Sequence, residues 1–222
     1  MSNYEFSVAT RDEVKDIILT NHYAHRMPMV QHAFKITDKG TIVGIITFGI
    51  PASRSLVVGV AGVENAEYVI ELNRLWTVDS LPRNTLSEFV SCALRSIGEK
   101  IVVSYSDKGM HHNGYIYQAT NFKFTGQTKL RTDVYTGEGK HSRHYDKAKT
   151  NHRIVRSPKN RYVIVVGNKR FKKAMYKALN YPVLPYPKGN NQSYKVGDSK
   201  PEVVFDRNVT TLEEVLEQEK LL

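Results

Sequence analysis

The sequence predicts one mixed α/β domain of the α+β kind, a sheet flanked by helices, and two observations predict it. The chain has 222 residues, 25.3 kDa, with 41% hydrophobic and 24% charged residues, enough apolar material for one good-sized core. Strand-like and helix-like segments alternate from end to end with no internal repeat and no clear linker. The expected organisation is a single unit over 1–222. It carries a basic segment over 121–180 and a C-terminal tail with a helix over 190–222.

Residues 11–21 form a short amphipathic helix, and HYAHRMP follows as a loop closed by Pro28. Two β-rich runs, 30–37 and 41–49, flank Asp38-Lys39-Gly40, a hairpin signal. Residues 51–65 are small and Gly-rich and read as loop with one strand at most. Residues 67–78 read as a strand ending at Asp79-Ser80-Leu81-Pro82. Leu86, Phe89, Val90, Ala93, Leu94 and Ile97 then trace one apolar stripe at helical spacing. Thr85-x-x-Glu88 fits a capping box, and Gly98 fits the position after the last turn. Residues 101–106 are a buried-type strand, 113–120 a short helix, and 122–128 another strand. Residues 131–160 are polar and basic with no assignable pattern. A strand at 161–166 leads to a basic helix from about residue 169 to 179. An extended, Pro-rich stretch covers 181–191, and a terminal helix 212–222.

Several function classes are excluded by what the sequence lacks. No apolar run approaches the ~20 residues of a membrane span, and the N-terminus lacks the apolar core of a secretory signal. One cysteine, Cys92, leaves no internal disulfide framework and no Cys-rich zinc site. There is no GxxxxGK[ST] loop, no GxGxxG, no GxSxG elbow, and no Asn/Asp-Pro-Pro-aromatic tetrapeptide of amino-methyltransferases.

Charge is distributed unevenly. The formal net charge is +10, but residues 1–120 hold 11 Lys/Arg against 12 Asp/Glu, and residues 181–222 hold 5 against 7. Residues 121–180 hold 16 against 3. So local an excess points to a polyanion, most simply nucleic acid, rather than to a solvated face. Lys140, Arg143, Lys147, Lys149, Arg153 and Arg156 are the expected phosphate contacts, because they cluster where no core pattern competes. Lys169, Arg170, Lys172 and Lys173 extend the surface along a helix.

The loop 79–84 feeds the N-terminus of the helix that starts near residue 85, where unpaired N–H groups and the helix dipole favour an anion. Arg83, Asn84, Thr85 and Ser87 are its cofactor-binding candidates; ordinary sheet–helix packing explains the same residues equally well.

The hairpin DKGTIVG, the strand ELNRLWTV running into an Arg-bearing loop and helix, and YQATNF resemble the GNAT acyltransferase fold. Tyr117 and Phe122 hold the spacing of that family's Tyr-x-x-x-Gly-Phe string, with Asn121 in place of Gly. The segments ELNRLW…DSLPRNTLSEF, VVSYSDKGMHHNGYIYQATNFKFTG and RYVIVVG…PYPKG resemble the Mom family of bacteriophage proteins more closely, from about residue 21 to 189. That resemblance implies a divergent GNAT fold, a mixed and mostly antiparallel central sheet flanked by helices. It implies an enzyme that converts adenine in phage DNA to N6-(carbamoylmethyl)adenine and so protects the DNA from host restriction. It also implies acetyl-CoA or a related acyl or glycine-like donor, iron, and action in the cytoplasm of the infected host. Oligomeric state is left open, a homodimer being one arrangement.

Carried over residue by residue, the resemblance nominates Arg74, Ser87, Asp107 and Tyr117 as catalytic. Each has a physical reading: Arg74 clamps an oxygen, Ser87 bonds an anion, Asp107 orients an amine or metal, and Tyr117 gives a proton to a leaving group. An ion pair, a first-turn hydroxyl, a helix cap and a half-buried ring are their structural counterparts. An iron site of two His and one carboxylate draws on His22 or His25 with Asp107; His144, Asp146 and His152 are a second set. Two other functions fit the same sequence. One is a conventional N-acetyltransferase for a protein or small amine. The other is a non-catalytic DNA-binding protein on a decayed acyltransferase scaffold.

Overall fold

The structure, a computed structural model, describes residues 4–135, 151–189, 203–206, 208 and 211–219. In chain order the elements are β1 (Glu5–Val8), α1 (Arg11–Asn21), β2 (His32–Asp38), β3 (Thr41–Gly49), α2 (Arg54–Ala61), β4 (Val69–Thr77), α3 (Thr85–Ser96), β5 (Lys100–Asp107), α4 (Tyr115–Ala119), β6 (Lys123–Gln127), β7 (Arg131–Val134), β8 (His152–Arg156), β9 (Lys159–Val166), α5 (Lys169–Lys177), β10 (Val204–Asp206) and α6 (Leu212–Glu219). Seven strands make one sheet in the order β1-β2-β3-β4-β5-β9-β6. Every pairing in it is antiparallel except β4 with β5. This is the mixed, mostly antiparallel sheet that the family resemblance implies.

Helices cover both faces. The α3 stripe buries Phe89, Val90, Ala93, Leu94 and Ile97 against Phe48, Ile70, Leu72 and Val102 on one face. Each of these side chains other than that of Ala93 contributes roughly 1.5–3 kcal/mol by leaving water. On the other face Val60 and Ala61 of α2, with Phe171 and Met175 of α5, pack on Val69, Ile101, Val163 and Val165. Val14 and Ile18 of α1 pack against Ala33 and Ile45.

Three local expectations need correction. Residues 51–65 contain a helix, α2, not a strand. Its Val and Gly residues lower helix propensity, but Ser53 caps it by accepting from the Leu56 N–H, and burial of Val60 and Ala61 completes it. The N-cap of α3 is Asn84 in the left-handed conformation (φ 71°), with no side-chain cap bond, so Thr85 is the first helical residue and not a capping-box residue. Part of the unassigned stretch, joined by β10 from the C-terminal part of the chain, builds a second sheet, β10-β8-β7. Its strands are short and charged, and they carry no alternating apolar signal.

The site is made by a split in the main sheet. β4 pairs with β5 only at Val69, Ile70 and Glu71, opposite Ile101, Val102 and Val103. Beyond Glu71, β4 stays with β3 as far as Thr77, while β5 stays with β9 as far as Asp107. A bulge at Asn73, where the β3–β4 register shifts between Thr47 and Phe48, resets the alternation. Leu72 and Leu75 therefore both face the α3 core, and Asn73 and Arg74 turn to the opposite face.

Candidate active site

A cavity of about 580 Å³ occupies the fork. Its walls include Glu71, Arg74, Tyr105, His112, Tyr117 and Lys159. Among the described residues no helix is long and apolar enough to cross a membrane.

Two of the four predicted catalytic residues line the cavity. Tyr117 is buried on α4. Burial pushes its hydroxyl up to about 12 against the pull of its hydrogen bond with Ser104, so it stays a proton donor at neutral pH. The chain turns just after it: Asn121 sits at φ 65°, and the Phe122 N–H bonds the Tyr117 carbonyl at 2.9 Å. Position 121 needs a left-handed residue, and Asn meets that need with less strain than most non-glycine residues. Arg74 also lines the cavity, but much of its guanidinium is engaged. Nε and Nη2 bond the Arg26 carbonyl at 3.3 and 2.8 Å, and Nη1 bonds the Asn73 carbonyl at 2.6 Å. Arg74 thus ties the segment 22–31 to the cavity wall.

Asp107 is buried beside the cavity without lining it. Its carboxylate accepts from the Gly109 N–H at 3.0 Å and from the Ser157 hydroxyl, and lies 3.6 Å from Lys159 Nζ. The predicted helix cap is therefore real, and the same carboxylate also holds Lys159 at the site. Ser87 is not in this cavity. Its hydroxyl donates to the Asn84 carbonyl at 2.9 Å and it lines a separate shallow groove with Ser91, Cys92 and Arg95. Leu86 takes the place in the fork cavity. Arg83, Asn84 and Thr85 do not line the cavity either, and the Thr85 hydroxyl is on a buried residue.

The histidines divide. His22 is buried and lines the cavity. Its Nδ1 accepts from the Ala24 N–H at 3.0 Å, and burial, reinforced by the charge of Arg74, holds its pKa down at about 3. His25 turns away: its Nδ1 meets the Leu19 carbonyl of α1 at 2.9 Å. Among the described residues no group of three His, Cys, Asp or Glu is placed to hold a metal ion. The described residues therefore do not fit the two-His, one-carboxylate iron site that the resemblance implied. His144 and Asp146 of the second set lie outside the described residues.

Sequence reasoning missed Tyr23, Glu71 and Lys159. Tyr23 stacks on His22 with ring centroids 4.5 Å apart and meets His112 edge-on at 6.2 Å. Burial and the nearby Asp107 push its phenol up. Glu71 sits where β4 and β5 part, and burial raises its pKa while Lys159 and Arg74 pull it down. The signal in the sequence was a carboxylate inside a run that otherwise reads as core strand, a position that acids rarely hold without a function.

Of the expected DNA contacts, Lys140, Arg143, Lys147 and Lys149 lie outside the described residues. Arg153 and Arg156 are on β8. Arg153 bonds Thr132 through Nε (2.8 Å, hydroxyl) and Nη2 (3.0 Å, carbonyl), and Arg156 Nε donates to Asp133 at 3.1 Å.

The model of the Mom protein family matches residues 3–188. The chain is 31% identical over 194 residues to the Methylcarbamoylase mom of Escherichia phage Mu, covering 78% of this chain and 79% of that protein. Among solved structures, it is similar to an N-acetyltransferase from Staphylococcus aureus Mu50, with a TM-score of 0.44, 14% identity, and 73% of this chain and 98% of that one covered. It is also similar to yncA from Salmonella typhimurium with acetyl-CoA, at a TM-score of 0.47, 11% identity, and 73% and 94% covered.

Proposed function

Because this chain belongs to the Mom protein family, we propose that it is a transferase that modifies DNA, converting adenine to N6-(carbamoylmethyl)adenine in phage DNA within the infected cell. The observation that carries this reading is the fork cavity, where a half-buried carboxylate, Glu71, and a buried phenol, Tyr117, face one space. Joining a carbon to the exocyclic N6 amine removes one proton from nitrogen and delivers one to the leaving group. Glu71, whose basicity burial raises, takes the first; Tyr117, protonated at neutral pH, supplies the second. The adenine must leave the helical stack to reach the cavity.

The donor lies in the same fork. Past Glu71 the edge of β4 that faces β5 has no strand partner among the described residues, and the Leu72 carbonyl there is met by a β5 side chain, Ser104, at 2.8 Å. Such an edge pairs with the amide-bearing arm of an acyl-CoA-like donor, while Leu86 closes the side next to α3. When bound, the donor would have to present an activated carbamoylmethyl group, N6 bonding its methylene carbon as the bond from that carbon to the leaving group breaks, because attack at a thioester carbonyl gives an N6 amide instead.

Mass spectrometry of nucleosides from DNA of cells expressing the protein tests the reading. Wild type yields the modified deoxyadenosine, and Tyr117→Phe and Glu71→Gln each lower it by about 100-fold. Unmodified deoxyadenosine alone from wild type overturns the reading. Full modification by both variants shows that these residues do not move the protons.

A further inference from the structure

We propose that the Ser106 hydroxyl recognises the transferred group by donating a hydrogen bond to its carbamoyl oxygen, with Asn160 as the positioning residue that directs the Ser106 proton into the cavity. This rests on the reading of the chain as a carbamoylmethyl transferase.

Ser106 and Asn160 are directly opposite each other on β5 and β9. Both residues are buried. Asn160 cannot easily shift, because β9 is also paired on its other side, where Asn160 is opposite Gln127 of β6. Asn160 Nδ2 donates to Ser106 Oγ at 3.3 Å, while its Oδ1 is buried with no hydrogen-bond partner among the described residues. An amide oxygen left unpaired in this way costs the fold stability, so the residue is poorly explained by packing alone. What the amide does is occupy a lone pair of Ser106. The Ser106 proton must then point elsewhere. Among the described residues it has no acceptor, and Ser106 lines the cavity. A hydroxyl with its acceptor side engaged and its proton unpaired is a donor for whatever acceptor enters that space.

The faces of the split sheet indicate which acceptor. Val102 on β5 and Tyr162 on β9 belong to the α3 core, so Ser104, Ser106 and Asn160 face the same side. Tyr117 is on that side as well, packed in the α3 core and hydrogen-bonded with Ser104. Glu71 is between Ile70 and Leu72, both of the α3 core, and therefore faces the other way. The group that takes the N6 proton and the group that serves the leaving atom are thus on opposite faces, with the reacting carbon between them. Ser106 shares the face of Tyr117, which is the donor's face. The carbamoyl group is bonded to the reacting carbon and enters with the donor. A hydrogen bond to its oxygen separates a carbamoylmethyl group from an alkyl group of equal size, because the alkyl group leaves the Ser106 proton buried and unpaired.

The test uses the full chain and two coenzyme A thioethers. One is S-(carbamoylmethyl)-coenzyme A, made from coenzyme A and iodoacetamide; the other is S-isobutyl-coenzyme A, of similar shape without the amide. Dissociation constants are measured by isothermal titration calorimetry for wild type, Ser106→Ala, Asn160→Asp and the double variant, with melting temperatures confirming that each folds. Wild type is expected to bind the carbamoylmethyl compound about tenfold more tightly than the isobutyl compound. Ser106→Ala brings that ratio to about one while keeping its affinity for the isobutyl compound, which lost packing would not do. In Asn160→Asp the carboxylate accepts the Ser106 proton, so the ratio falls as far, and the double variant loses no more than Ser106→Ala. If Asn160→Asp does not fold, Ser106→Ala decides alone. A wild-type ratio near one, or a ratio that Ser106→Ala leaves unchanged, overturns the proposal. A second measurement, affinity for an adenine duplex by fluorescence anisotropy, covers the other acceptor. If Ser106→Ala weakens it, 1-deazaadenine at the target abolishes the difference and the thioether ratio is intact, the proton belongs to the base and the proposal fails. Failure of wild type to bind either thioether overturns the donor reading and this proposal with it, whereas binding of both without discrimination overturns this proposal alone.

Discussion

At His22 burial decides the charge. The ring is held neutral with its pKa down at about 3, from an ordinary 6.5. Between those values the unfolded chain binds a proton that the folded chain lacks, so stability falls as pH drops through that window, by about 1.4 kcal/mol per unit. Denaturant midpoints at pH 7 and pH 5 should show wild type losing about 2 kcal/mol more than His22→Asn, which keeps an acceptor for the Ala24 N–H. Parallel profiles would show that His22 does not titrate in this way. Glu71 has the opposite sign. Its pKa is raised, so the fold favours the protonated form and any stability from it is lost as pH rises. At pH 7 Glu71→Gln should melt at or above the wild-type temperature while modification collapses, because a site held for chemistry costs stability. A clear drop in melting temperature would identify Glu71 as a structural ion-pair member instead.

Among the elements, β4 determines where the chemistry is, through features of unequal visibility in the sequence. The α3 stripe was legible because one apolar period runs unbroken from Leu86 to Ile97 and Gly98, at φ 74°, follows the last turn. The bulge at Asn73 was not, since it depends on a side chain that accepts from Thr47 at 2.6 Å and donates to the Met29 carbonyl at 2.9 Å, 44 residues away in sequence. Tyr117 and Arg74, nominated through the family resemblance, line the cavity, whereas Ser87 does not, because a first-turn residue one position from Leu86 faces a different groove. Helix α2 escaped because Val and Gly read as strand or loop until a sheet is present to bury them. Gly49 illustrates the same dependence: a Cβ there would sit 1.7 Å from the Met29 carbonyl oxygen. Gly49→Ala should therefore displace the segment 22–31, which carries Tyr23 and Arg26. The expected result is a far-UV circular dichroism spectrum close to wild type with modification lost. Retained modification would mean that the segment tolerates the shift.

On the scale of the whole molecule, charge is separated from core. The sixty residues from 121 to 180 carry 16 Lys/Arg against 3 Asp/Glu, yet they also supply β6 and β9, which finish the main sheet. Their remaining described strands, β7 and β8, form a second sheet whose end docks beside Asp107. Sequence alone showed the excess charge and not the docking, because the docking rests on the Ser157–Asp107 bond and on backbone pairing with no hydrophobic pattern. A surface of this kind replaces condensed counterions when it meets DNA, so log affinity should fall with log salt by about 0.9 for each phosphate contact. Replacing Lys140, Arg143 and Lys147 together by Gln should flatten that slope by about 3 units and weaken binding equally on all sequences. The same triple variant, saturated with DNA at low salt, should still modify adenine at close to the wild-type rate, because Glu71 and Tyr117 of the fork are proposed to move the protons. A slope unchanged by the triple variant would mean that those cations face solvent or another partner, and that affinity for DNA must come from the docked sheet and the cavity mouth.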